Sequence, residues 1–231
     1  MLNESMYALG SKRSTIREIF EYAKTRSAKI GRENVFDFSI GNPSVPAPAI
    51  VNQTITQLVN EMPSVELHGY TSAQGDKAVR DTIAENYTRR FGVPISGDDL
   101  YMTCGAAASL TITLKALTCE KDEFIVFAPF FPEYKVFIEN AGAKIVVLPS
   151  NSQTMLPDFD ALKNAINPHT KGVLINSPNN PSGVVYGKQT MQTLADIKQA
   201  DFPLTLKAAD ARRARGMVLE KSKCTSCPTF M

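Results

Sequence analysis

The sequence predicts an α/β fold, a mainly parallel sheet with helices on both faces, and three observations predict it. From residue 100 onward, short apolar runs alternate with helical patterns. The runs are mostly apolar rather than alternating, which is what strands covered on both faces need. The segments just after the runs collect Gly, Pro, Asn and Ser, the residues of loops at strand carboxyl ends, where ligands of such sheets bind. With 231 residues, 43% of them hydrophobic, the chain is long enough to bury a sizeable core.

Taken in order, residues 15–30 read as a first helix. Thr15 with Glu18 makes a capping box, Ile16, Ile19, Phe20 and Ala23 recur at helical spacing, and Gly31 is the stop. Residues 35–40 alternate, with Phe36, Phe38 and Ile40 against Asp37 and Ser39, so a short strand is expected there. Pro43, Pro46 and Pro48 make the next stretch a loop. Helices follow at about 49–61 and 75–91, the second with Val79, Ile83 and Tyr87 on one face. Strands are then expected at 100–103, 124–128, 144–148 and 172–176, separated by helices near 106–117, 133–141 and 158–166. There is no internal repeat.

Composition excludes several classes. The chain has 25 basic and 23 acidic residues, a net charge of +2, so it carries no overall footprint for nucleic acid. Four cysteines (Cys104, Cys119, Cys224 and Cys227) do not form a disulfide framework at this length, which points to a reducing compartment and a cytoplasmic location. No run of 18 apolar residues occurs, so no membrane span is expected. The opening residues lack an apolar segment flanked by basic ones, so no secretory leader is expected. His68 and His169 read as surface or loop residues with no nucleophile pattern beside them. Cys224 and Cys227 have the spacing of a metal or redox pair but lack a second pair and a nearby histidine, so no metal is expected. Asp98, Asp99, Asp158 and Asp160 read as caps and solvated faces. The charge is uneven: residues 203–231 hold six basic and two acidic residues, the rest of the chain 19 and 21.

Three loops carry the chemistry. Thr103-Cys104-Gly105-Ala106-Ala107-Ala108-Ser109 opens a helix with small residues, so backbone N–H groups can approach an anion. Tight strand–helix packing would use the same residues. Pro129-Phe130-Phe131-Pro132-Glu133-Tyr134 puts aromatics at a strand end, where a ring can stack on a flat heteroaromatic or join the core. Asn176-Ser177-Pro178-Asn179-Asn180-Pro181-Ser182-Gly183 has turn composition, and its order is the specific part.

In these loops the chain resembles the fold-type I aminotransferases that use pyridoxal 5′-phosphate, nearest the aspartate and aromatic aminotransferase branch. The matching segments fall in the family's order. They are Ser39-Ile40-Gly41-Asn42-Pro43, then Gly69-Tyr70-Thr71 with Gly75 and Val79-Arg80, then Cys104-Gly105-Ala106. The last two are Ala128-Pro129-Phe130-Phe131 with Tyr134, and Asn179-Asn180-Pro181-Ser182-Gly183. The resemblance covers about residues 10–198. It implies that Gly105, Ala106 and Ala107 offer N–H groups to the cofactor phosphate. It implies that Phe131 stacks on the pyridine ring, with Phe130 one place away as the fallback, and that Asn180 donates to the cofactor's 3′ oxygen. Tyr70 would reach the phosphate of the neighbouring subunit in a homodimer, and Gly41 would lie against the substrate carboxylate. The substrates implied are an amino acid and a 2-oxo acid.

Past the Asn-Pro-Ser-Gly turn the family continues with a strand ending in Asp-x-x-Tyr and another leading to Ser-x-[Ser/Ala]-Lys, the Schiff-base lysine. Neither motif follows residue 186 here, and no Tyr does. Lys207 with Arg215 reproduces a Lys-x7-Arg spacing, but Lys207 lies only 27 residues after Asn180, too few for both strands. Lys207 is the one Schiff-base candidate, and the expected chain is an incomplete aminotransferase without that lysine. The expected organisation is an N-terminal arm and small-domain segment at 1–45, a partial cofactor-binding domain at 46–200 and a divergent, disordered basic tail at 201–231. The alternative function is a non-catalytic fragment that binds cofactor or a partner.

Overall fold

The computed structural model describes residues 4–11, 15–41, 43, 45–201, 204–208 and 217–221. The chain divides into two compact units, Met1–Tyr70 and Thr71–Met231. The division falls after Tyr70, where the sequence reading puts a boundary at residue 45.

The first unit is helical. It holds α1 (Glu4–Ser11), α2 (Thr15–Ile30), a 3-10 turn (Arg32–Asn34), α3 (Ala49–Glu61) and α4 (Ser64–Leu67). Helix α2 has the predicted bounds and stops where Gly31 takes φ +88°, its N–H closing on the Ser27 carbonyl at 3.0 Å. Among the unit's described residues only Ala23 is a buried hydrophobic. The strand predicted at 35–40 does not form. Phe36 and Phe38 are 82% and 93% exposed, because the unit offers no described strand to pair with and a lone strand has no ladder.

The second unit begins with α5 (Lys77–Phe91), capped by the Asp76 carboxylate, which accepts from the Val79 N–H at 3.0 Å. Gly92 in the left-handed region ends it. The buried face differs from the predicted one: Arg80 and Ala84 point inward, while Val79 and Ile83 are 49% and 39% exposed. Arg80 is drawn in by the 3-10 turn Gly97–Asp99, whose Gly97 carbonyl it grips. The strand predicted at 100–103 is an extended connector. Its Met102 N–H donates to the Gln74 carbonyl at 2.9 Å and its Leu100 N–H to the Gly97 carbonyl at 3.2 Å, and loop carbonyls cannot supply a ladder.

The core follows: α6 (Ala106–Leu117), β1 (Glu123–Ala128), α7 (Glu133–Ala141), β2 (Lys144–Pro149), α8 (Phe159–Ala165), β3 (Thr170–Asn176), α9 (Lys188–Asp201), β4 (Leu204–Ala208) and β5 (Met217–Lys221). The sheet order is β2-β1-β3-β4-β5, with β1 to β4 parallel and β5 antiparallel to β4. This is the predicted class, helices on both faces of a mainly parallel sheet. Phe124 and Val126 of β1 and Leu174 of β3 pack with Leu110 and Leu114 of α6 and with Tyr134 and Ile138 of α7. The alternate residues, Ile125, Phe127, Val173 and Ile175, pack with Leu162 of α8 and with Met191 and Leu194 of α9 on the other face. Alternation within a run that is apolar throughout is what two covered faces require.

At the amino ends of the strands, polar groups hold the register. Glu123 accepts from Lys144 Nζ at 2.8 Å and from Asn167 Nδ2 at 3.0 Å, and Lys171 pairs with Asp122 at 3.6 Å. Hydrogen bonds from Lys144, then Asn167, hold the Glu123 carboxyl below its ordinary pKa. Asp158 caps α8 and Asp99 closes a capping box with Ser96, as their sequence positions suggest. The sequence reading expects no element after about residue 201, yet the backbone at 204–208 and 217–221 forms β4 and β5. Arg212, Arg213, Arg215, Cys224 and Cys227 lie outside the described residues. Among the described residues no helix is long and apolar enough to cross a membrane.

Candidate functional site

The site assembles at the carboxyl edge of the parallel strands. Ala128 and Asn176 end β1 and β3 there, so the loops that follow them share that edge. Helix α6 reaches the same edge from the other direction. Its last residue, Leu117, is joined by a short link to Glu123 at the amino end of β1. Its 12 residues span roughly 18 Å, about the length of a six-residue strand, and it lies on the sheet through Leu110 and Leu114. Its start, Gly105-Ala106-Ala107, therefore sits at the carboxyl edge.

That start presents backbone donors. Gly105 is the N-cap, with φ +113°, a conformation that a side chain strains. A Cβ there would meet nothing within 4 Å, so the glycine serves the backbone angle rather than a close approach. The first-turn N–H groups of an α-helix lack intrahelical partners and carry the positive end of the dipole. Ala106 and Ala107, which begin the helix, are exposed residues. The cup is braced from within: Thr103 Oγ1 donates to the Gly105 carbonyl at 3.1 Å and lies 2.6 Å from Ser109 Oγ. Thr103 and Ser109 are not singled out by the sequence, because hydroxyl residues flanking small ones are common and only the fold brings these two together.

The β1 loop supplies rings. Phe131 is half-buried and meets Tyr134 edge to face, 5.5 Å between centroids and 81° between planes. Phe130 and Phe131 both pack against the cluster under α6 and α7. Tyr134 is buried, and burial pushes its phenol pKa up. The phenol is thus a neutral wall behind Phe131.

The β3 loop divides its two asparagines by role. Asn179 is buried and turns inward, its Oδ1 accepting from the Ser182 N–H at 3.2 Å and from Ser182 Oγ at 2.9 Å. Its backbone closes the turn through Val184 and Gly183, at 2.8 and 2.7 Å. Asn180 is exposed, and its N–H donates to Asn176 Oδ1 at 2.9 Å. Asn176, the last residue of β3, thereby holds Asn180 to the strand end. Sequence reading misses this role; the only signal is an amide side chain four residues before Asn180. Ser177 Oγ accepts from the Tyr186 N–H at 2.9 Å, and burial raises the Tyr186 pKa.

The structure thus brings the α6 start, Phe131 and Asn180 to one edge. Gly41 and Tyr70 belong to the first unit, where both are exposed, Tyr70 fully. Position 207 lies in β4, in register with Ile175 on one side and Val218 on the other. His68 and His169 are exposed, as expected. No cluster of three or more metal-ligating side chains occurs among the described residues.

Known proteins resemble this chain over most of its length. The chain is 31% identical over 189 residues to an aspartate aminotransferase of Pyrococcus horikoshii, covering 81% of this chain and 46% of that protein. It is 27% identical to the glutamate-pyruvate aminotransferase AlaA of Escherichia coli K12, covering 71% of this chain and 40% of that protein. The chain therefore spans less than half the length of these curated relatives. Among solved structures, an amino transferase from Eubacterium rectale superposes with a TM-score of 0.83 at 58% identity, covering 86% of this chain and 50% of that one. The family described as aminotransferase class I and II matches residues 33–206, three quarters of the sequence and every loop of the site. The chain belongs to the class I and II aminotransferase family.

Proposed function

We propose that this chain carries the cofactor-holding part of a pyridoxal-phosphate-dependent aminotransferase, moving an amino group between an amino acid and a 2-oxo acid. One observation carries the reading: a glycine-capped helix start, a packed aromatic and an exposed amide lie at a single sheet edge. The donor set fits the group. The N–H groups at Gly105, Ala106 and Ala107 suit a phosphate, Phe131 a pyridine ring, and Asn180 a phenolic oxygen. When bound, pyridoxal phosphate supplies a carbonyl that takes up the amino group and a ring that accepts electrons. The chain's own residues bind and orient. Gly105 shapes the helix start, Tyr134 backs Phe131, and Asn176 holds the Asn180 backbone.

In this reading residues 46–200 form the cofactor-binding domain and 1–45 an arm and small-domain segment. The whole enzyme is a cytoplasmic homodimer serving amino acid biosynthesis. Gly41 lies against the substrate carboxylate, and Tyr70 reaches the phosphate held by the neighbouring subunit.

A second reading, a cofactor-binding module without turnover, is favoured by one observation. No lysine after Asn180 stands in the family's Ser-x-[Ser/Ala]-Lys pattern, so the chain has no assigned proton shuttle. Equilibrium dialysis of the full chain against pyridoxal phosphate and against pyridoxal tests the site. Tighter binding of the phosphorylated form is expected, and equal binding of both would remove the helix-start assignment. Borohydride trapping with peptide mapping separates the readings. No transfer and no single adduct is expected. One adduct at Lys207, with amino transfer abolished by Lys207→Ala, would establish Lys207 as catalytic.

A further inference from the structure

Arg80 is the only charged residue in the buried set among the described residues, 4% exposed. A buried charge persists where its donors are fully used. Arg80 spends them mainly on backbone. Its Nε donates to the Gly75 carbonyl at 3.2 Å, and its Nη1 donates to the Gly97 carbonyl. Asp98 lies 3.6 Å away with its side chain 78% exposed.

The two carbonyls belong to two loops that meet. Gly75 closes a tight turn, its N–H on the Ser72 carbonyl at 2.8 Å and its own carbonyl also accepting from Ser72 Oγ at 2.6 Å. With φ +95°, Gly75 lies so close to Met102 that a Cβ there would come within 2.5 Å of Met102 Cγ. The adjacent Gln74 carbonyl accepts the Met102 N–H. Gly97 opens the turn that leads into 100–105, and its carbonyl also accepts the Leu100 N–H at 3.2 Å. One guanidinium therefore holds the entrance of the 100–105 connector directly and its middle through the 72–75 turn. That connector has no strand ladder to hold it.

We propose that Arg80 is a positioning residue, a two-pronged clamp between the 72–75 turn and the 97–99 turn. It sets where the 100–105 connector delivers the anion-binding start of α6. The ligand half of this inference rests on the proposed function; the clamp itself does not. A planar fork with fixed donor directions does this work, and a lysine ammonium cannot reproduce it.

The test uses the full chain and its Arg80→Met and Arg80→Lys variants. Amide hydrogen exchange is read at 98–105, with β1 and β3 as internal references for the fold. Affinity is measured for pyridoxine 5′-phosphate, which has no aldehyde and forms no lysine adducts. In Arg80→Met, the Met102 amide and its neighbours should exchange about tenfold faster while β1 and β3 stay protected. Affinity should fall about tenfold. Arg80→Lys should also exchange faster at 98–105, and it decides the matter if Arg80→Met does not fold. Exchange at 98–105 that matches the parent chain in Arg80→Lys, or equal loosening of β1 and β3, overturns the clamp. Faster exchange with unaltered affinity overturns its role toward the ligand. A parent chain that does not bind pyridoxine phosphate, with faster exchange in the variants, overturns the cofactor reading and upholds the clamp.

Discussion

The Met1–Tyr70 unit and the sheet of the Thr71–Met231 unit use apolar residues in opposite ways. In the first, Phe38, Val65 and Tyr70 are 93%, 86% and 105% exposed, and α3 buries none of its residues. In the second, Phe124, Ile125, Val126 and Ile138 have no exposed surface. Helices are specified by local signals, although short ones draw most of their stability from packing an apolar face. Parallel strands exist only with neighbours, so a parallel sheet brings its own core. The site follows the same division. Its three loops with a defined arrangement all spring from the sheet unit, where rigid elements fix their ends.

The contrast is broken most directly in the core. Phe124→Ala should cost about 3–5 kcal/mol in denaturant unfolding, whereas Phe38→Ala should stay within about 0.5 kcal/mol. Comparable losses in the two variants would mean that the first unit has a core of its own around Phe38.

The site loops give the next effect. Asn180→Ala and Phe131→Ala should each weaken pyridoxal phosphate binding by up to about tenfold, the worth of one hydrogen bond or one ring contact. Asn176→Ala should weaken it less, since it acts through the Asn180 backbone. Unchanged affinity in all three would show that the β1 and β3 loops do not form the cofactor site.

The smallest effect sharpens the comparison by pH. Glu123, its side chain 14% exposed, has a folded pKa lowered by Lys144 and Asn167. Its stabilisation is present above its unfolded pKa and is lost as pH falls through the lower folded value. Glu123→Gln should remove about 1 kcal/mol at neutral pH, moderated because Lys144 is largely exposed, and should flatten that acid limb. A variant with the full acid slope of the parent chain would place the titration elsewhere.

Much of the sheet unit was legible in the sequence. The bounds of α6 and α7 match the predicted ones because their stops are local: Gly105 at one start, and Gly142 at φ +96° at one end. The strands at β1, β2 and β3 were legible because continuous apolar runs have few other uses. The runs at 35–40 and 100–103 looked as strand-like, but pairing is not a property of a run. Neither finds a neighbouring strand among the described residues. The predicted Val79 face of α5 failed for a related reason: an apolar stripe does not know its neighbours, and here they are two carbonyls that suit Arg80 better than Val79.

By itself the sequence determined the α/β class and the family, because caps, apolar periods and the ordered Asn-Asn-Pro-Ser-Gly string act over a few residues. Tertiary structure alone decided which asparagine of that string is buried and which faces out. It also decided that Thr103 meets Ser109, that Tyr134 backs Phe131, and that Arg80 joins two turns 22 residues apart, at Gly75 and Gly97. The first three are set by the backbone course of single loops, which residue identity alone does not give, and the Arg80 clamp by packing between segments up to 17 residues from it in sequence.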